Sequence, residues 1–232
     1  MVSLANVDEA MSTYVRHQTY PVAIKMLTSE EEIPEYAKWP LRDYGASFTL
    51  CQALALGRRD GLTVVLDKDS QSCPIALAGL GFVRPEAYLS GKYALAPTNR
   101  PAEAQKKAAE AMPSFEFGKF RYILISPIQK ASFDPDVIIF YGNGAQVMRM
   151  IQAAVFASGE SLTSRSSGAG GCLLPIVETI TEGKCKYTIP GNGERRFRAV
   201  PLRLPAVHGP ACDGDRVPPP DAPDHGGVPP MG

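Results

Sequence analysis

Apolar residues recur with two different periods along the first 197 positions, and this pattern predicts the secondary structure. Helices are predicted where apolar residues recur at helical spacing, over residues 2–17, 48–59 and 145–157, and a short helix over 74–80 is indicated by Pro74 at its first position. Residues 101–112 are rich in Ala, Glu and Lys, which predicts either a solvent-exposed helix or a mobile excursion. Strands are predicted where short runs are rich in Val, Ile and Leu, over residues 22–27, 62–66, 121–126 and 136–141, with a hairpin formed by residues 176–180 and 185–189. Strands joined both by helices and by hairpins indicate an α+β (mixed α/β) fold, with a mixed sheet and helices packed on it.

The pattern ends near Arg198, which predicts two regions of different character. Residues 198–232 contain nine prolines, no lysine and no aromatic residue, and they show no apolar periodicity. Such a segment buries too little apolar surface to offset its ordering entropy. We therefore expect residues 1–197 to form a single α+β domain and residues 198–232 to form a disordered, proline-rich and glycine-rich tail.

Composition and charge limit the kinds of partner that we expect for this protein. Twenty-four basic residues balance 24 acidic ones, so the formal net charge is zero. Nucleic acids and anionic membranes are bound by basic surfaces, and we expect neither as a partner. The N-terminus lacks the pattern of a signal peptide, and no window approaches the roughly 20 apolar residues that span a bilayer. The predicted location is the cytoplasm, where thiols stay reduced.

Three cysteines stand at positions that favour the thiolate form of the side chain. Cys51 lies near the start of a predicted helix, Cys73 immediately precedes Pro74 at a helix start, and Cys172 ends a glycine-rich loop. Helix N-termini and free backbone N–H groups stabilise a thiolate. Three such thiolates predict an iron–sulfur cluster, or a single metal such as zinc, with one coordination position open. The sequence has no C-x-x-C pair, so buried cysteines that serve only as packing residues remain an alternative.

A glycine turn offers a second candidate site. Gly142, Asn143 and Gly144 connect a predicted strand to a helix whose first turn carries Gln146. Backbone N–H groups at such a turn bind anions, although the dinucleotide and P-loop fingerprints are both missing here. The alternative function is therefore a metal-free module for a small anionic or nucleotide-like ligand. A further alternative is thiol redox chemistry, with Cys73 as nucleophile and Cys51 or Cys172 as the resolving thiol.

Several segments together resemble the uncharacterised ArCR family, over residues 22–197. They are SFTLCQALALGRRDG, SCPIALAGLGF, FDPDVIIFYGNGAQVMRMIQA, GGCLLPIV and IPGNGERRF. The resemblance implies that the family's cysteine–glutamine pair falls on Cys51 and Gln52, its cysteine–proline pair on Cys73 and Pro74, and its late cysteine on Cys172. It implies no established reaction, but it favours a shared thiolate site. The predicted function is a metal-binding or redox protein in which Gln52 and the glycine turn line a pocket for a small anionic ligand.

Overall fold

A four-stranded sheet forms the centre of the computed structural model, which describes residues 3–86, 102–191 and 193–194. The strands are β1 (Val22–Leu27), β2 (Val64–Leu66), β3 (Tyr122–Pro127) and β4 (Val137–Ile139), in the order β2-β3-β1-β4. The α+β class is confirmed, but the sheet is antiparallel rather than mixed. The reason is that β3 inserts between β1 and β2 and runs antiparallel to both.

The described part of the chain contains six α-helices in addition to the sheet. They are α1 (Leu4–Ala10), α2 (Leu50–Asp60), α3 (Pro74–Gly79), α4 (Ala102–Glu110), α5 (Gly144–Val155) and α6 (Leu173–Glu182). Shorter helical turns cover Met11–Val15, Glu30–Glu32, Pro40–Tyr44 and Ile128–Lys130. The predicted first helix is therefore divided into α1 and a π-helical turn, which ends at Arg16 in the left-handed conformation.

The predicted hairpin over residues 176–180 and 185–189 is wrong. The first of these runs lies within α6, and the second has no strand. Ile, Val and Thr dominate this segment and favour a strand, but Leu173, Ile176 and Val177 also fall at helical spacing and pack into the core. Gly183, predicted to form the hairpin turn, has φ +65° and ends the helix instead.

The sheet buries both of its faces. Alternate side chains of β1, β2 and β3, among them Ile24, Val64 and Ile125, pack against α2, α3 and α6 in the main core. The opposite face carries a smaller cluster that contains Val65 and Leu124, against which Trp39 packs. α2 lies against the first face and is buried from Leu50 to Arg58, so both its polar and its apolar side chains point into the protein.

Three further predictions concern the apolar stripe of α5, the C-terminal tail and the absence of a membrane-spanning segment. In α5 only Gln146 is buried, so the predicted apolar stripe of that helix is not enclosed within the described structure. The predicted disordered tail, residues 198–232, lies outside the described residues. Among the described helices, none has the length and apolar character needed to cross a membrane.

We predict that Gly79→Ala destabilises the protein, because α3 and α6 meet at this glycine. A Cβ atom at Gly79 would lie 2.1 Å from Cδ2 of Leu173, whose side chain is fully buried and has little room to move. Overpacking of this kind costs about 1–3 kcal/mol of unfolding free energy, measurable by urea denaturation. Gly144→Ala is the matched control, since a Cβ atom there meets nothing within 4 Å. Equal stability of the two variants would show that α3 and α6 are not closely packed.

Candidate thiol site

Three helix starts bring the predicted cysteines into one region of the core. Cys51 is the second residue of α2, while Cys73 and Cys172 immediately precede α3 and α6. All three side chains belong to or pack against the main apolar cluster. Leu173, the first residue of α6, packs against Gly79 at the end of α3, and this contact fixes the start of α6 and with it Cys172.

Two of these thiols are in direct contact. Cys172 Sγ donates a hydrogen bond to Cys51 Sγ over 4.0 Å, although 121 positions separate the two residues in sequence. Both residues are buried, and the structure describes both as free cysteines. The contact therefore forms a buried dithiol pair, which we call the Cys51–Cys172 pair.

The hydrogen bond between Cys51 and Cys172 shifts the pKa values of the two thiols in opposite directions. The hydrogen bond from Cys172 is the main reason that the pKa of Cys51 is lowered, and the Thr49 hydroxyl adds to this effect, while burial opposes it. The same hydrogen bond, followed by burial, raises the pKa of Cys172 well above its ordinary value. When the pair loses its first proton, Cys51 is therefore the thiol that ionises, and Cys172 keeps its proton.

Cys73 has a different environment from the one predicted for it. Burial raises its pKa, and the charge of a Cys51 thiolate raises it further. Backbone N–H groups of Ala76 and Ile75 at the start of α3 act in the expected, lowering direction, but burial outweighs them. Of the three thiols at helix starts, Cys51 is the one whose pKa is lowered, which favours it over Cys73 as a nucleophile.

The three cysteines do not form a compact ligand group. Within residues 3–86, 102–191 and 193–194, no three His, Cys, Asp or Glu side chains lie close enough together to hold a metal ion. The structure thus brings Cys51 and Cys172 into contact and places Cys73 near them without completing a three-thiolate site. The predicted iron–sulfur or zinc centre stays a prediction.

A polar cluster next to the pair was not identified from the sequence. Tyr141 Oη donates to Glu194 Oε1 over 2.6 Å, and Gly191 N donates to Glu194 Oε2 over 2.7 Å. The guanidinium of Arg58 lies over the Tyr141 ring, with Cζ 4.3 Å from its centroid. The charge of Glu194 raises the pKa of Cys172, so this cluster and the dithiol pair influence each other.

One sequence signal could have identified Arg58. It follows Leu50 and Leu54 at intervals of four residues, so it occupies the buried stripe of α2. A charged residue in such a stripe indicates either a partner in the interior or a functional site. Glu194 carries no comparable signal, because it lies among the charged residues of a glycine-containing segment.

The predicted ligand residue Gln52 takes part in a helix cap. Its Oε1 accepts hydrogen bonds from Thr49 N over 2.8 Å and from Thr49 Oγ1 over 3.1 Å, while Gln52 N donates to Thr49 Oγ1. This reciprocal arrangement is a capping box, which fixes the start of α2 and hence the position of Cys51.

The glycine turn repeats the same arrangement at the start of α5. Asn143 N donates to Gln146 Oε1 and Gln146 N donates to Asn143 Oδ1, both over 3.0 Å. Gln146 Nε2 also donates to the carbonyls of Val15 and Arg16. A Cβ atom at Gly142 would lie 2.3 Å from Cζ of Phe140, whereas Gly144 faces open space. These side chains hold the turn in place, and a ligand at the turn stays a prediction.

Comparisons with known proteins place the chain among uncharacterised relatives. The profile of a family of unknown function, described as uncharacterised ArCR, matches residues 10–207. A relative is the uncharacterized protein MJ0308 of Methanocaldococcus jannaschii, which is 25% identical over 183 residues, or 77% of this chain and 76% of the relative. No solved structure matches the chain. The family match begins earlier and ends later than the predicted range of 22–197.

We predict that Cys172→Ala raises the pKa of Cys51. Alanine removes the main donor to the Cys51 thiolate and leaves the opposing effect of burial in place. At any pH in its titration range, Cys51 will then be less ionised than in the parent protein. The measurement is an NMR titration of protein labelled with ¹³C at cysteine Cβ, which reports each thiol separately.

Cys73→Ala is the matched control for this titration. In the parent protein, Cys73 ionises at a higher pH than Cys51, because the pKa of Cys73 is raised and that of Cys51 is lowered. Cys73 is therefore neutral while Cys51 titrates, and its charge has no effect on that titration. The Cys51 titration should therefore stay in place in this variant. An unchanged Cys51 titration in Cys172→Ala would contradict the assigned hydrogen bond.

Proposed function

The chain belongs to the uncharacterised ArCR family, and we propose that it acts as a thiol redox protein through the Cys51–Cys172 pair. The observation that carries the proposal is the contact of two buried sulfur atoms at 4.0 Å. A disulfide has an S–S distance of about 2.05 Å, so a shift of about 2 Å joins the two atoms. The opposite pKa shifts of the pair support the proposal, because one partner is ready to attack while the other keeps its proton.

The proposed reaction is exchange with a low-molecular-weight disulfide. The Cys51 thiolate attacks one sulfur of that disulfide, whose S–S bond breaks and releases the first thiolate. Cys172 then loses its proton to solvent and attacks Cys51 Sγ, which releases the second thiolate and leaves a Cys51–Cys172 disulfide. Two electrons pass from the protein dithiol to the small disulfide, and two thiols are the products.

Metal binding is the second candidate function, and one distance favours it. Two thiolates bound to a tetrahedral zinc ion at 2.3 Å are about 3.8 Å apart, close to the separation of the Cys51–Cys172 pair. Cys73 and Glu194, whose charges raise the pKa of Cys172, are the nearest further ligands by chemistry. An iron–sulfur cluster or a zinc ion would need Cys73 to move toward the pair.

We predict that oxidised glutathione converts the anaerobically purified protein to a form with one internal disulfide between Cys51 and Cys172. The background carries Cys185→Ala and Cys212→Ala, so that no other thiol outside the site can react. The expected product has lost two hydrogen atoms by mass spectrometry, and peptide mapping identifies its cross-link. The reverse reaction with reduced glutathione should restore both thiols.

Cys73→Ser is the control, because it removes a nearby thiol and leaves the pair intact. It should form the same disulfide, whereas Cys51→Ser and Cys172→Ser should stop at a mixed disulfide with glutathione or not react. A cross-link through Cys73 would contradict the proposed pair. Iron or zinc in the purified protein, lost in each of the three Cys→Ser variants, would establish the metal site instead.

A further inference from the structure

Arg58 is a buried cation without a hydrogen-bonding partner in the described structure. Its residue exposure is 7%, and its guanidinium contacts the face of the Tyr141 ring. Among the described residues, none forms a hydrogen bond or an ion pair with the guanidinium. Glu194 is the nearby carboxylate: burial raises its pKa, and the charge of Arg58 opposes that shift. The two oxygens of Glu194 accept from Tyr141 Oη and Gly191 N. A guanidinium has five N–H donors, and burial without acceptors is costly for so polar a group.

The guanidinium nitrogens keep some contact with solvent. No Arg58 nitrogen is among the described side-chain atoms that are both fully enclosed and unpaired. Since no described residue accepts a hydrogen bond from these nitrogens, we place them at the small exposed part of the residue. That opening is where a solute can reach them.

The Tyr141 ring positions this guanidinium to bind a planar anion. The centroid of the Tyr141 ring lies 4.3 Å from Cζ of Arg58 and the ring restrains the guanidinium by a cation–π contact, while the guanidinium N–H groups form no hydrogen bond with the described residues. The edge of a guanidinium matches two oxygens of a carboxylate, so the two groups bind as a coplanar, bidentate pair. A lysine in the same place would supply the charge but not this geometry.

The position of Arg58 relates it to the thiolate. Cys51 and Arg58 are seven residues apart on α2, which is about two helical turns, so their Cα atoms lie on one face about 10 Å apart along the axis. A molecule that reacts at Cys51 and carries an anionic group several bonds from its sulfur can reach both residues.

We infer that Arg58 binds the anionic group of the substrate, and that the substrate class is a small disulfide carrying a carboxylate. This inference rests on the proposed function for its disulfide, whereas the anion site rests on the surroundings of Arg58. Arg58 is thus a specificity-determining residue, and Tyr141 is a positioning residue that acts through it.

The test compares two aromatic disulfides, dithiobis(nitrobenzoate), which carries two carboxylates, and dithiodipyridine, which is neutral. The protein background lacks Cys73, Cys185 and Cys212, so only the pair reacts. We expect Arg58→Gln to slow the reaction with dithiobis(nitrobenzoate) roughly tenfold to a hundredfold, the range of a lost charge-assisted hydrogen bond. The rate with dithiodipyridine should stay within about twofold of the parent. Equal slowing of both reagents would overturn the inference.

Two further variants keep the comparison interpretable. Arg58→Lys retains the charge and the aliphatic stem without the bidentate edge, so its rate with the carboxylate reagent should fall between those of the parent and Arg58→Gln. Arg121→Gln removes the same charge from an exposed position and should leave both rates unchanged. If Arg58→Gln does not fold, Arg58→Lys decides, and a rate equal to that of the parent contradicts the inference.

Failure of the redox function is separable from failure of the anion site. If Cys51→Ser leaves both reaction rates unchanged, Cys51 is not the reacting thiol and the proposed function is wrong. The anion site is then tested alone by calorimetry with benzoate, which has a carboxylate and no sulfur. Binding to the parent that is at least tenfold weaker in Arg58→Gln would support the anion site, and equal binding would overturn it.

Discussion

The burial of α2 on all sides is the constraint on which the rest of the site depends. Nine consecutive residues of this helix, from Leu50 to Arg58, are buried between the sheet and the elements that cover it. A helix that is enclosed in this way carries every side chain into the interior, whatever its polarity. Cys51, Gln52 and Arg58 are therefore interior groups because of the position of their helix, and each needs a partner there.

The three side chains meet that need in different ways. Gln52 folds back on Thr49 and completes the capping box, so its amide oxygen is satisfied locally. Cys51 accepts a hydrogen bond from Cys172 of another helix start. Arg58 has the face of Tyr141 and the charge of Glu194 near it, but its N–H groups form no hydrogen bond within the described structure. The helix thus carries a capping residue, a thiol that contacts another thiol, and a guanidinium without hydrogen-bond acceptors among the described residues, and the last is the expected mark of a ligand site.

Local patterns predicted much of the fold and only part of the site. β1 begins and ends at the predicted residues 22 and 27, because a short apolar run with clear boundaries favours a strand and nothing else. The predicted start of α2 at Phe48 is two residues early, since Phe48 is held in an extended bridge to Gln71 that joins distant segments. The predicted strand at residues 176–180 lies within α6, because helical spacing and β-branched composition disagree there. The sequence indicates the cysteines as candidates, but contact between Cys51 and Cys172 depends on tertiary packing that spacing does not encode.

The hydrogen bond within the Cys51–Cys172 pair lowers the pKa of Cys51 and raises that of Cys172. Once one proton is lost, the two sulfur atoms share the remaining one, so the first deprotonation of the pair is favoured and the second is opposed. Burial strengthens this separation, because a second negative charge would have little solvent to stabilise it. Glu194 opposes the second deprotonation further, whereas a disulfide removes the proton and the charge together. The buried surroundings therefore disfavour the doubly ionised dithiol and are compatible with both the singly protonated pair and the disulfide, which are the two states that redox exchange requires.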